Sequence, residues 1–345
     1  MITGSLTERR QSSSRETAIP APVFIVAVPR SGSTMLRLML NAHPLILSGR
    51  ESPWLGGNYW VDGFDPDVSV RALYRRLLSS ADADDMPVEE LRQICREFVM
   101  RIARTKLERS GKLLWIEKTP DNIVQVGFLR ELFPQARFIR LIRDGRDVAL
   151  STIRAAWPTL NYFVEGIQEN HRFIHARIAL NRRVLFRLPR TVQEVVTRAR
   201  SEPARNEQPL PIMYPIANTY YNALYRWHKW NEVYEGWRGD VRAPELTLKY
   251  EDLLLDPRGT FVRLFQFLNV PMHERVFDYS VHRSEDHRGD IGLRSALQFS
   301  SMDPRNVYKW RRDLTRRQRR TTARHFDKAL ALRGYDRTDS AMSCP

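Results

Sequence analysis

Residues 30–34 read Arg-Ser-Gly-Ser-Thr, which places a guanidinium, three hydroxyls and a glycine within five positions. Arg30, Ser31, Ser33 and Thr34 all carry donors, and Gly32 lets the backbone turn its N–H groups toward one point, so this set suits an anion. Two later clusters share the chemistry. Lys118 lies in the run Glu117-Lys118-Thr119-Pro120-Asp121-Asn122, and Arg143 opens Arg143-Asp144-Gly145-Arg146-Asp147, with Ser151 eight positions after Arg143. Any one of these is an ordinary polar turn; three that meet would hold a polyanion.

The flanking residues say how they could meet. Residues 23–28 (Val-Phe-Ile-Val-Ala-Val) are the apolar, β-branched run of a strand buried on both faces of a parallel sheet. Pro29 ends the ladder, and Ser33 or Thr34 is placed to cap a helix carried by Met35, Leu36, Leu38, Met39 and Leu40. Strand, tight loop and helix N-terminus together form an anion-binding geometry. The same unit recurs at 113–116, whose helix runs to about Phe133, and at 138–142, whose helix runs from Val148 to about residue 157. Strands are also expected at 45–47 and 246–250. In an open parallel sheet the strand C-termini share one edge, so Ser31, Lys118 and Arg143 can approach each other across the sequence.

Helical spacing predicts covering helices over 68–78, 88–107 and 220–237, another opened by Asp256-Pro257, and a last one over 315–332 stopped by Gly334. The expected architecture is a P-loop-like, three-layer α/β/α domain with a central parallel sheet, spanning 21–335. Residues 1–20 form a disordered lead-in and 336–345 a tail. A mostly helical, basic insertion occupies 158–215; it is read first as a solvated surface and second as a lid over an acceptor. The polar stretch 281–301 has the composition of a binding loop.

The chain of 345 residues has a formal charge of +15, which favours anionic partners without choosing among them. Cys95 and Cys344 are its two cysteines, too few for a disulfide framework or a cysteine metal cluster, so a reducing compartment is expected. The first twenty residues lack an apolar signal core, and no run of about 18 apolar residues occurs. These features point to a cytoplasmic protein without a membrane span.

Residues 28–34 resemble the 5′-phosphosulfate loop of sulfotransferases that use 3′-phosphoadenosine 5′-phosphosulfate (PAPS), and residues 143–151 resemble their 3′-phosphate motif. The spacing has a physical basis: Arg143 leaves the strand end while Ser151 lies about two helical turns on, so both can reach one phosphate. Lys249-Tyr250-Glu251-Asp252-Leu253 and residues 308–315 resemble two further segments of the family. Over residues 29–51 the chain is similar to the tyrosylprotein sulfotransferases and their bacterial relatives.

That resemblance implies a sulfuryl transfer from PAPS to an acceptor hydroxyl, with 3′,5′-adenosine bisphosphate as product and no metal required. In this branch the base is a Glu beyond the second short strand, which here is Glu51; the His of the Lys-Thr-His segment used by other members is absent, because Lys118-Thr119 is followed by Pro120. Arg30 and Lys118 are then the groups on the bridging oxygen and 5′-phosphate, with Ser31, Gly32, Ser33 and Thr34 as loop contacts, and Arg143 and Ser151 on the 3′-phosphate. Tyr250 stands either against the adenine or in the core, and Lys309 is a further phosphate candidate, although the family's Arg-Lys-Gly element is not visible before it. Glu117 is either a second acid or a partner for Lys118, and His43 is read as a structural cap.

The expected acceptor is a small-molecule or glycoconjugate hydroxyl, with tyrosine-protein or peptide sulfation as the alternative. A homodimer is left open, and no nucleic-acid partner is expected. Two other readings compete. An ATP-dependent P-loop kinase would need the Gly-x-x-x-x-Gly-Lys-Ser/Thr pattern, which is missing, and a non-catalytic polyanion binder would explain the charge but not paired phosphate loops.

Overall fold

The computed structural model describes residues 20–56, 69–79, 86–154, 220–237, 243–278 and 302–338. The lead-in up to residue 19, Tyr59 and Trp60, the insertion at 158–215, the loop at 281–301 and the tail from residue 339 lie outside the described residues.

Five parallel strands form the centre of the molecule: β1 (Val23–Ala27), β2 (Ile46–Leu47), β3 (Leu114–Lys118), β4 (Arg137–Ile142) and β5 (Glu245–Lys249), in the order β2-β3-β1-β4-β5. The chain leaves β1 toward β2 and β3 on one side and later crosses to β4 and β5 on the other. That reversal makes β1 the topological switch point, where open parallel sheets bind ligands beyond the strand C-termini. Ile25 of β1 is in register with Lys118, and Ala27 with Leu141, so the three polar loops begin on one edge.

Each strand of this kind must bury both faces, and β1 is fully buried along its length. Phe24 and Val26 face a core built with Phe133, Phe138 and residues of α4 (Val88–Ser110), α5 (Val126–Leu132), α6 (Gly145–Arg154) and α7 (Tyr220–Gly236). Val23, Ile25 and Ala27 face a second core with α1 (Ser33–Asn41), α8 (Tyr250–Leu255) and α9 (Pro257–Leu268). Two cores on opposite faces make the three layers expected from the sequence, and each large apolar side chain taken from water into them is worth about 1.5–3 kcal/mol. The short α2 (Pro53–Gly56) and α3 (Val70–Ser79) follow β2; α10 (Trp310–Asp313), α11 (Arg316–His325) and α12 (Asp327–Ala331) close the described chain. Among the described residues no helix is long and apolar enough to cross a membrane.

Local structure departs from the sequence reading in several places. Gly32, at φ +94°, is the N-cap of α1, and neither Ser33 nor Thr34 caps it by side chain. Residues 120–124 form a 3₁₀ turn before α5, because Pro120 starts a tight turn whose Asn122 is held by the Glu117 carboxylate. Helix α6 begins at Gly145, three residues before Val148. The expected single helix over 315–332 is two: Thr315 and Gln318 form a capping box that starts α11, and Phe326, at φ −131°, breaks the helix as its ring enters the core.

Candidate active site

The loop after β1 is shaped by its backbone. Arg30 has φ +74°, a left-handed conformation that costs a non-glycine residue of order 1 kcal/mol, and the Ser31 N–H donates to the Val28 carbonyl at 3.1 Å. Gly32 is required twice over. Its φ is positive, and a Cβ there would lie 2.3 Å from Cδ2 of Tyr250, whose ring covers the loop. Ser31 and Ser33 are buried, and the Ser31 Oγ has no hydrogen-bond partner among the described residues.

Arg143, just past the end of β4, is buried and lies with its guanidinium carbon 4.0 Å from the centroid of the Tyr250 ring. Its Nη1 donates to the Arg30 carbonyl at 3.2 Å and its Nη2 to the Asn306 carbonyl at 2.9 Å. The Arg30 Nε donates to the Ser151 Oγ at 3.2 Å. Arg30, Arg143, Ser151, Gly32 and Tyr250 therefore form one cluster. Tyr250, expected at a strand end, instead starts α8 and serves as the platform for both the loop and Arg143.

The second Arg of the same motif goes elsewhere. Arg146 pairs with Asp144, with Nη2 at 2.7 Å from Oδ2, and its guanidinium lies 3.5 Å from the Trp310 ring centroid. Asp147 accepts from the Trp310 backbone N–H at 2.8 Å and lies 3.8 Å from Arg143. Burial pushes the Asp147 carboxyl up to about 6, with Arg143 opposing the shift. Lys309 stands near both. Burial first and Arg143 second press its ammonium down to about 8. Asp147 and Asn306 escaped the sequence reading, since Asp147 looks like an ordinary first-turn acid and Asn306 contributes only a carbonyl.

At the ends of β1 and β3 lies a second cluster. The Lys118 ammonium, buried, forms an ion pair with the half-buried Glu51 carboxylate and reaches the Thr34 Oγ1 at 3.5 Å. Glu117 makes no direct ion pair with Lys118 among the described residues, although the Lys118 and Glu51 charges both act on its carboxyl through space. Successive strand residues point to opposite faces, and Glu117 accepts instead from Thr119 Oγ1 at 2.6 Å, from Asn122 Nδ2 and from the Ser52 N–H at 3.3 Å. His43, read as a cap, has its ring elsewhere than on the end of α1, whose C-cap is Ala42: its Nδ1 accepts from the Leu45 N–H at 3.1 Å, and its Nε2 lies 2.9 Å from the Pro271 carbonyl.

The arrangement is thus a glycine-turned loop at a switch point, flanked on one side by two arginines and a lysine and on the other by a lysine–carboxylate pair. Such a site can hold two phosphates and present a carboxylate to a third group. Residues 22–185 match the model of the sulfotransferase family. Over that stretch the chain is similar to the sulfotransferase family.

The chain is similar to protein-tyrosine sulfotransferase A of Caenorhabditis elegans, 29% identical over 135 residues, which is 38% of this chain and 32% of the relative. It is likewise 31% identical to protein-tyrosine sulfotransferase 1 of Homo sapiens over 131 residues, 38% of this chain and 33% of the relative. The matches span about a third of the length of these relatives. Among solved structures, the sulfotransferase domain of the Synechococcus PCC 7002 olefin synthase aligns at a TM-score of 0.49 and 24% identity, over 87% of this chain and 90% of that one.

Proposed function

We propose that this protein moves a sulfuryl group from PAPS to a hydroxyl, with Glu51 as the general base. The observation that carries the reading is the meeting of Arg30, Arg143 and Ser151 beside the Gly32 loop at the switch point, with Lys118 at the end of the adjoining strand and its ion-pair partner Glu51 in the loop after β2. The loop N–H groups and Arg30 hold the 5′ end of the donor. Arg143, Ser151 and Lys309 hold the 3′-phosphate, which ATP lacks. The donor supplies the sulfuryl group.

Glu51 takes the acceptor's proton as the acceptor oxygen bonds to sulfur and the bond from sulfur to the phosphate oxygen breaks. Neutralising Glu51 releases the Lys118 ammonium from its ion pair, so it can turn to the charge left on the departing phosphate. Positioning and electrostatics supply most of the acceleration in transfers of this kind. Exchange of one partner for another is how this site would couple proton removal to leaving-group stabilisation.

The acceptor is a hydroxyl of a small molecule or glycoconjugate. Tyrosine is the second reading, favoured by the names of the relatives that match residues around the loop. The test has two parts. In calorimetry, 3′,5′-adenosine bisphosphate should bind at least about tenfold tighter than ATP, one good charge-assisted phosphate contact being worth about 1.5–3 kcal/mol; equal affinities would remove the sulfotransferase reading and restore the kinase. With ³⁵S-labelled PAPS and a panel of a phenol, an amino sugar and a tyrosine-containing acidic peptide, Glu51→Gln should lower transfer by about 10²–10⁴. Arg30→Ala should lower it comparably. Wild-type turnover in Glu51→Gln would remove that residue as base.

A further inference from the structure

We propose that Glu117 is a positioning residue that fixes the segment carrying Glu51, so that one strand end holds both the base's side chain and its backbone. The proposal rests on Glu51 being the base. Residues 48–52 link β2 to α2 outside any helix or strand, so no ladder sets where Glu51 points. Side chains do it instead. At one end, the Ser48 N–H donates to Asn41 Oδ1 at 3.0 Å and the Ser48 Oγ to the Ile116 carbonyl at 3.0 Å. Next, Nη1 of the fully buried Arg37 donates to the Gly49 carbonyl at 3.0 Å.

The far end is held from β3. The Ser52 N–H, one peptide beyond Glu51, is shared between Thr119 Oγ1 at 2.9 Å and Glu117 Oε1 at 3.3 Å. Thr119 in turn donates its hydroxyl proton to Glu117, and Asn122 donates to the other oxygen. All three groups bonded to this carboxylate are donors, so it is bonded as the ionised acceptor even though it is 2% exposed. Burying a carboxylate costs several kcal/mol, and burial does push Glu117 up to about 7. A Gln or an apolar residue would serve an ordinary turn at lower cost; an anion is suited to gathering three donors, of which one belongs to the Glu51 segment. Strand alternation completes the device. Lys118 meets the Glu51 carboxylate on one face, while Glu117 takes the neighbouring amide on the other.

Hydrogen exchange and a double-mutant cycle test this. In Glu117→Gln, exchange in a peptide covering 48–56 should rise while peptides covering β1 and β4 stay protected, and 3′,5′-adenosine bisphosphate should bind as in wild type. Turnover with the panel acceptor that wild type uses fastest should fall about 10- to 100-fold, the scale of a misplaced catalytic group. Thr119→Val should do the same, and Thr119→Ser, which keeps the hydroxyl, should retain wild-type turnover. In a Glu51→Gln background Glu117→Gln should add no further loss. The same fold-loss in both backgrounds, or unchanged exchange over 48–56, overturns the proposal. Wild-type turnover in Glu51→Gln alone would instead fail the base assignment while the exchange result still reports on the anchor.

Discussion

Lys309 is a residue whose charge the surroundings oppose. It is half-buried and lies near Arg143, so its ammonium is pressed down to about 8. Near pH 8 about half the molecules then hold it neutral, and a phosphate brought against it favours the charged form. Binding of 3′,5′-adenosine bisphosphate at pH 8 should therefore take up protons, and much less so at pH 6, where Lys309 is already charged. Calorimetry in two buffers of different ionisation enthalpy reads this directly. Lys309→Met should abolish the buffer dependence at pH 8, and no buffer dependence in the wild type would place Lys309 away from the ligand. At this scale the sequence was informative about type and silent about pairing. Arg143 and Arg146 sit three residues apart in one motif, yet the first faces the site and the second stacks on Trp310 inside the core. Likewise Glu117 and Lys118 are neighbours whose strand alternation sends them to different partners.

Among the elements, the start of α1 is tightly constrained. Gly32→Ala would meet both the positive φ, worth about 1–2 kcal/mol, and the Tyr250 ring 2.3 Å from the new methyl. Tyr250 cannot yield without disturbing Arg143, which is stacked on it. Chemical denaturation should show a loss of about 2 kcal/mol or more, and affinity for 3′,5′-adenosine bisphosphate should fall with it. Unchanged stability would mean the loop tolerates a side chain and that Tyr250 is not its platform. The strands and loops that build this edge were readable because each is local: a β-branched run, a proline or glycine, then helical spacing. What was not readable depends on distant residues. Phe326 breaks the last helix because the core takes its ring, the 3₁₀ turn at Pro120–Val124 forms against Glu117, and Asn306 enters through a carbonyl that any residue would offer.

Across the whole molecule, buried carboxylates tie the sheet to the C-terminal part of the chain. Glu251, at the start of α8, accepts from the Asp144 N–H at 2.9 Å and from the Tyr335 hydroxyl at 3.2 Å, and burial pushes it up to about 7. A carboxyl raised in the fold favours the protonated form there, so its contribution is greatest below about 4.5 and declines as pH rises through about 7. A tenfold difference in proton affinity between the folded and unfolded chain is worth about 1.4 kcal/mol. Urea unfolding at pH 5 and pH 7.5 should show wild type losing stability relative to Glu251→Gln over that interval; parallel curves for the two proteins would contradict it. The ties also order the molecule in time. Arg143 is emitted from the ribosome 163 residues before the Asn306 carbonyl it binds, and Asp147 precedes its Trp310 partner by the same separation. At about 5–20 residues per second that is a wait on the order of 10–30 s. A nascent chain thus exposes Arg143 and Asp147 well before the segment around Asn306 and Trp310 that completes their contacts has been made.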